Sequence, residues 1–184
     1  MAFGIPCVPR HQRGLSLIEL VAAVAVFAIV TAVCLPTLHG AVSGTRATTV
    51  GNRLLADLAL ARTEAIMRHD PGVVCPSVDG RTCSGGTDWS SGWIVFVDTD
   101  GDNQRSDREP VLSTASSSDT GGLRVDTSVG RTKIRYLPDG RNGGTNLSVR
   151  VCEGPRLMRQ VIVNISGRPR IERDDAPNAA CSAG

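Results

Sequence analysis

The stretch from Leu20 to Leu35 is sixteen residues long, and Thr31 is its only clearly polar member. Extended back to Leu15 it covers twenty-one residues, or about 31 Å as a helix at ~1.5 Å per residue, which matches a hydrocarbon core of roughly 30 Å. Arg10 and Arg13 precede it and no acid comes before Glu19, an asymmetry that places the extreme N-terminus in the cytoplasm. A secretory signal peptide carries an apolar region of about 7–15 residues before a small-residue cleavage site. Here the run is longer and a glutamate stands at its entrance. The segment therefore predicts a single transmembrane helix.

Glu19 is the costly residue in that helix. A carboxylate at mid-membrane costs on the order of 2.5–3.5 kcal/mol on insertion scales, and less near the helix end. A charge placed there is a functional candidate whose partner should be named. If the chain were cut between Gly14 and Leu15, the new α-amino group would lie one helical turn from Glu19 on the same face. An amine from the same chain or from a neighbour in an assembly would offset the buried charge. The alternative is a glutamate that reaches the membrane interface with no partner.

The octapeptide Arg13-Gly14-Leu15-Ser16-Leu17-Ile18-Glu19-Leu20, followed by the apolar run and Pro36, resembles the type III signal of type IV pilins and type II secretion pseudopilins. The resemblance implies cleavage after Gly14 by a prepilin peptidase, N-methylation of Leu15, and assembly through the apolar helix with Glu19 as an assembly residue. It also implies other minor and major pilins or pseudopilins as partners. The mature chain would be a single-pass protein of the inner membrane with its C-terminal part in the periplasm, drawn into a pilus or pseudopilus.

Removing residues 1–14 takes away two arginines and no acids, so 18 basic and 18 acidic residues remain. The charge is unevenly placed. Residues 79–119 hold eight acids against Arg81, Arg105 and Arg108, net −5, and residues 124–184 hold eleven basic residues against six acids, net +5.

Downstream of Pro36 the pattern stays helical to Asp70. Leu54, Leu58, Ala61 and Ala65 recur at four- and three-residue steps, with Arg53, Asp57, Arg62 and Glu64 off the stripe, as for a helix with one core face. Pro36 and Gly40 are expected to loosen its middle, and Asp70-Pro71-Gly72 ends it. From there the chain turns to short β-rich runs at 73–76, 92–98, 110–114, 123–127, 132–137, 147–152 and 158–165. Alternation in Val149-Arg150-Val151 and in Lys133 to Leu137 predicts strands with one wet face. Ser113 to Gly122 reads as a polar, mobile serine-rich loop. A helix followed by many strands makes an α+β chain.

Cys75-Pro76-Ser77, Asp79-Gly80, Cys83, the run Asp88-Trp89-Ser90-Ser91-Gly92-Trp93-Ile94-Val95-Phe96, and Asp98-x-Asp100 resemble the GspH/FimT family of minor pilins and pseudopilins. That likeness implies a pilin-like fold: a long N-terminal helix packed on an antiparallel, sandwich-like β-rich head. The organisation expected is a cleaved leader over 1–14, a transmembrane and assembly helix over 15–39, an amphipathic continuation over 40–70, and the head over 71–184.

Catalysis is disfavoured by composition. The histidines are His11, His39 and His69, so the long C-terminal part has none for a Ser-His-Asp, Cys-His or His-metal site. Lys133 is the only lysine and follows no glycine-rich phosphate loop. No enzyme activity, cofactor or metal is expected. Cys7 leaves with the leader, and Cys34 falls in the span, where it should act as a small apolar residue. Cys75, Cys83, Cys152 and Cys181 remain in an oxidising compartment and allow three pairings. Cys75–Cys83 closes a short turn and Cys152–Cys181 staples the C-terminal tail to a strand, and this pairing is the one expected.

Asp98, Asp100, Asp102, Gln104, Ser106 and Glu109 fall at the 1, 3, 5, 7, 9 and 12 spacing of a calcium loop. The glycine is at the fourth position instead of the sixth, which is Asn103, and no flanking helices are expected. These mismatches favour a solvated, acid-rich hairpin loop over an ion site.

Gly167-Arg168-Pro169-Arg170 follows the last apolar strand and precedes Ile171-Glu172-Arg173. It resembles the GRxR motif of FimT-type pilins that bind DNA during natural transformation, and so points to Gly167, Arg168, Arg170 and Arg173. Glycine permits a tight turn, Pro169 stiffens it, and two arginines in extended geometry project as a fork of planar donors. Nineteen of the 20 basic residues are arginine, and guanidinium suits phosphate better than ammonium does. The alternative is a solvated edge strand whose arginines suppress edge pairing. With six aromatic residues in the chain and only Tyr136 beyond residue 124, base stacking has little support, and any binding of double-stranded DNA would run through phosphate. Two functions follow: a minor pilin of a type IV pilus that captures DNA, or the H component of a type II secretion pseudopilus.

Overall fold

The computed structural model describes residues 16–172 and residue 181, without the side chains of residues 33–39. Gly14, Leu15 and Arg173 therefore lie outside the described residues. Helix α1 runs from Leu17 to Arg68, with no break at Pro36 or Gly40. The chain divides into two compact units, Met1–Ala41 and Val42–Gly184.

In the first unit α1 carries its apolar side chains outward. Leu17, Ile18, Val24, Val26, Phe27, Ile29 and Val30 are all more than half exposed. Thr31 hides its hydroxyl in the helix by donating to the Phe27 and Ala28 carbonyls at 2.9 and 3.0 Å, which satisfies it without water. Among the described residues no helix is long and apolar enough to cross a membrane. The span expected from Leu15 to Leu35 includes Leu15 and the side chains of residues 33–35, which are outside the description.

The second unit is built around the rest of α1. Ala47, Val50, Leu54, Leu58, Ala61 and Ala65 are buried, a stripe with steps of three and four. Each fully buried leucine contributes roughly 1.5–3 kcal/mol of transfer free energy. The helix stops where His69 takes a left-handed φ of 60° ahead of Pro71, which cannot continue it.

Two antiparallel sheets share the core with this stripe. The first has the order β3-β2-β1-β5, with β1 Gly72–Pro76, β2 Gly92–Val97, β3 Val111–Ser116 and β5 Ile134–Tyr136. The second has the order β4-β6-β7-β8, with β4 Arg124–Thr127, β6 Leu147–Glu153, β7 Arg156–Val163 and β8 Pro169–Glu172. Val74, Trp93 and Val95 from the first sheet and Val149, Val151, Val161 and Val163 from the second join Leu54 and Leu58 in one cluster. On the other face of the first sheet Val73, Cys75, Ile94 and Phe96 form a second cluster with Cys83 and Val111 against it. Strands β1 and β2 are thus buried on both faces, which is why they read as unbroken apolar runs. Gly72 begins β1 hard against α1: a Cβ there would collide with the Ala61 carbonyl.

Besides the helix unbroken at Pro36 and Gly40, the structure departs from the sequence reading at the serine-rich stretch and at Asp57. The serine-rich stretch is ordered: β3 extends to Ser116, and Ser117–Thr120 makes the one-turn helix α2. Asp119 accepts hydrogen bonds from the Ser116 backbone N–H at 2.7 Å and its hydroxyl at 2.8 Å, and these hold the Asp119 carboxyl below the usual range. Asp57, off the apolar stripe, is nonetheless buried. The residues after Gly167 are a strand, β8, paired antiparallel with β7 at the edge of the sheet, the edge-strand alternative that the sequence left open for this motif.

Candidate nucleic-acid interface

Asn164 organises the turn that launches β8. Its carbonyl accepts from Gly167 N–H at 2.9 Å, and its side-chain oxygen accepts from the Ser166 hydroxyl at 2.7 Å and the Arg168 N–H at 3.1 Å. Gly167 has φ +75°, and a Cβ on it would run into the Gly140 carbonyl. Both facts demand glycine at this position.

Strand geometry then sorts the side chains. Pro169 and Ile171 are half-buried while Arg168, Arg170 and Glu172 are exposed, the alternation of a strand with one covered face. Ile171 packs on the core, with its Cδ1 3.7 Å from where a Cβ of Gly51 on α1 would be. Strand β8 is an edge, with Val161 opposite Ile171 and Ile162 opposite Arg170. The two motif arginines thus stand side by side on the outer face of the sheet.

They are not equivalent. Arg170 Nε donates to Glu172 Oε1 at 2.8 Å, with side-chain exposures of 58% and 47%. An exposed pair of this kind is worth about 0–1 kcal/mol, so phosphate can displace it, but the carboxylate offsets half the fork. Arg168 has no ion pair among the described residues. The weight of Glu172 was legible from its position two residues beyond Arg170, which puts the two on one face of a strand. Further in on the same face, Arg150 donates to Asp126 Oδ1 at 2.8 Å, where the sheet register sets them opposite each other.

The remaining site residues are placed elsewhere. Glu19 lies exposed in the first turn of α1. The disulfides are Cys75–Cys83 and Cys152–Cys181. The second fixes Cys181 to β6, where Cys152, Leu157 and Cys181 form a buried cluster.

The acid-rich loop is less solvated than its sequence suggests. Asp98 and Glu109 are fully buried. Asp98 accepts from the N–H groups of Gly101 and Asn103 at 3.0 and 3.2 Å, and Glu109 from those of Thr99 and Ser106 at 2.7 and 2.8 Å. Burial pushes the Asp98 carboxyl up. Burial also pushes on Glu109, but the hydrogen bonds from Ser106 and Thr99 outweigh it and leave that carboxyl lowered. Asn103, at the sixth loop position, adopts φ +62°, the turn conformation that a calcium loop takes with glycine. Oxygens of Asp98, Asp100 and Asp102 lie within 4.8 Å of one another, yet the carboxylates at the first and twelfth positions are engaged by the loop's own backbone.

Comparison with known proteins places this architecture. The family model for type II transport protein GspH matches residues 50–167, and that for the prokaryotic N-terminal methylation motif matches residues 9–35. No curated protein gives a significant match. Among solved structures, the type IV minor pilin FimU of Pseudomonas aeruginosa superposes in two crystal forms. In one the TM-score is 0.54 at 16% identity, covering 68% of this chain and 87% of FimU; in the other it is 0.52 at 18%, covering 68% and 91%. The minor pseudopilin EpsH of the Vibrio cholerae type 2 secretion system gives a TM-score of 0.44 at 18% identity over 70% of this chain and 97% of EpsH.

Proposed function

Because the chain belongs to the GspH family of type II transport proteins, a family of structural pilins, we propose that it is a minor pilin of a type IV pilus whose head captures double-stranded DNA. In this reading a prepilin peptidase cuts after Gly14 and Leu15 is methylated. The apolar half of α1 holds the subunit in the inner membrane, and the head stands in the periplasm. Glu19 then meets a neighbouring subunit's amine as the helix enters the filament. The N-terminal methylation motif across residues 9–35 supports the processing.

The observation that supports DNA capture is the placement of Arg168 and Arg170, exposed and adjacent on the outer face of an edge strand. Binding of this type rests on phosphate contacts and is independent of sequence. With aromatic side chains scarce, affinity should be in the non-specific range of roughly 10⁻⁴–10⁻⁶ M and steeply dependent on salt. The test is a titration of the full chain, in non-ionic detergent, with short duplexes at several salt concentrations. Replacing Arg168 and Arg170 together by Ala should weaken all duplexes alike. It should also flatten the plot of log K against log salt by about 0.9 for each phosphate that is no longer neutralised. An unchanged affinity in the folded double variant would remove the DNA role and leave the pseudopilus subunit as the reading.

A further inference from the structure

We propose that the phosphate-binding surface is not β8 alone but the loop end of the second sheet, where Arg141 and Arg131 stand with Arg168. The proposal rests on the DNA-capture reading above and adds two arginines to it from loops remote in sequence.

The sheet register brings them together. Thr127 pairs with Val149, Leu147 with Val163, and Val163 with Pro169. The chain therefore leaves β4, enters β6, leaves β7 and enters β8 at one end of the sheet. The three connections that meet there, 128–133, 137–146 and 164–168, are locked to one another. Asn142 N–H donates to the Ile165 carbonyl at 3.1 Å, and Ile165 N–H to Asn146 Oδ1 at 3.0 Å. The Arg131 guanidinium donates to the Thr145 hydroxyl.

The motif glycine is part of the same lock. A Cβ on Gly167 would lie 3.2 Å from the Arg141 Cα. The requirement for glycine at 167 is therefore a requirement for two backbones to touch, and the residues that this approach sets side by side are Arg141 and Arg168. Four strands at ~4.8 Å spacing put the β4 and β8 ends of this surface about 14 Å apart, against one duplex charge per ~1.7 Å of axis. Several phosphates fall within that width.

The charge balance at this end is positive. Asp139 is the only acid in the three connections. It accepts from the Arg141 N–H at 3.0 Å and from Arg141 Nε at 2.6 Å, both groups being exposed on the surface. The other two cations between β4 and β6 face elsewhere: Lys133 donates to the Asn103 carbonyl at 2.5 Å, and Arg135 Nε lies 3.8 Å from Asp98. Arg131 and Arg168 meet no carboxylate among the described residues. Asp139 thus holds Arg141 as Glu172 holds Arg170: pre-oriented, and partly masked until phosphate competes.

The test uses the full chain in non-ionic detergent and a short duplex at several salt concentrations. Arg141→Ala should weaken binding and flatten the salt plot by about 0.9, as should Arg131→Ala. Asp139→Asn, which keeps the Oδ1 acceptor for the Arg141 N–H, should tighten binding; a gain of affinity cannot come from misfolding. If Arg168→Ala weakens binding while Arg141→Ala and Asp139→Asn both leave affinity and slope unchanged, the loop end is not the surface and the β8 motif acts alone. If the wild-type chain binds no duplex, or Arg168→Ala has no effect, the DNA reading itself fails, and this proposal with it.

Discussion

Asp57 sits beside Leu58 in the sequence, off the apolar stripe of α1, yet its carboxylate lies inside the head. It accepts from Trp93 Nε1 and the Ser113 hydroxyl, each at 2.8 Å, and from Arg53 Nε at 3.1 Å. One side chain on the helix thereby meets the two strands β2 and β3, with every contact charge-assisted. Periodicity marks Asp57 as polar and cannot show that a tryptophan N–H comes to meet it from 36 residues away. The same limit applies at Glu109, which reads as one acid among many in a wet loop and is the buried anchor of that loop. Its folded-state value lies below the unfolded one, lowered by the Ser106 and Thr99 N–H groups against the opposing push of burial. Its contribution to stability is therefore complete above the ordinary carboxylate range and lost as pH falls through the lowered value. Glu109→Gln should be less stable than wild type near neutrality, by about 1–3 kcal/mol if one backbone N–H loses its acceptor. The difference should shrink as pH falls through the carboxylate range. Urea unfolding across pH measures it; a difference that stays constant down to low pH would show that the charge is not the cause. Asp98, raised by burial and also by the Glu109 charge, works in the opposite sense, and Glu109→Gln removes the second of those causes.

At the scale of elements, what the sequence makes plain depends on how each strand is buried. Strands β1 and β2 lie in the middle of a sheet covered on both faces, and their apolar runs are unmistakable. Strands β6 and β7 face water on one side and announce themselves by alternation, as in Val149-Arg150-Val151. Strand β8 does neither: it is four residues long, begins with proline and offers Ile171 alone to the core. Its pairing is a consequence of β7 already being in place, which no local pattern records. An edge position is also where a proline is tolerated. The serine-rich stretch misleads for a different reason: the bonds from Ser116 to Asp119 are local, three residues apart, and the capping pattern of a serine three residues before an acid is hidden in a stretch whose composition reads as loop. Cysteine spacing, by contrast, foretells both staples. Loop-closure entropy grows with the length of chain enclosed, and the separations are 8 residues for Cys75–Cys83 and 29 for Cys152–Cys181. Replacing Cys152 and Cys181 by Ser should accordingly cost about 1 kcal/mol more than replacing Cys75 and Cys83. Denaturant midpoints of the two double variants decide this, and an equal or reversed order would show that local packing outweighs chain entropy.

At the scale of the whole molecule, the two compact units have separate duties on the proposed reading. The head carries the arginines, and the N-terminal unit carries the apolar surface and Glu19. A glutamate on an apolar helix is a cost to the inserted monomer, and on the proposed reading an assembled neighbour's amine offsets it. Glu19→Ala should therefore insert into membranes as well as wild type, or better, and be depleted from sheared filaments; mutant at the wild-type level in those filaments would remove the partner role. On the proposed reading this part of the function rests on the octapeptide around Gly14 and the apolar run, both of which are plain in the sequence. DNA capture is less so, because the side chains that decide it are sorted by β8 pairing and by the meeting of three loops. Both duties require the chain to be a processed filament subunit. The most direct test of that claim is the intact mass of the chain recovered from sheared filaments of cells with an active prepilin peptidase. The expected product begins at Leu15 and carries one added methyl group. A chain still bearing residues 1–14, held in the membrane and missing from the filaments, would contradict it.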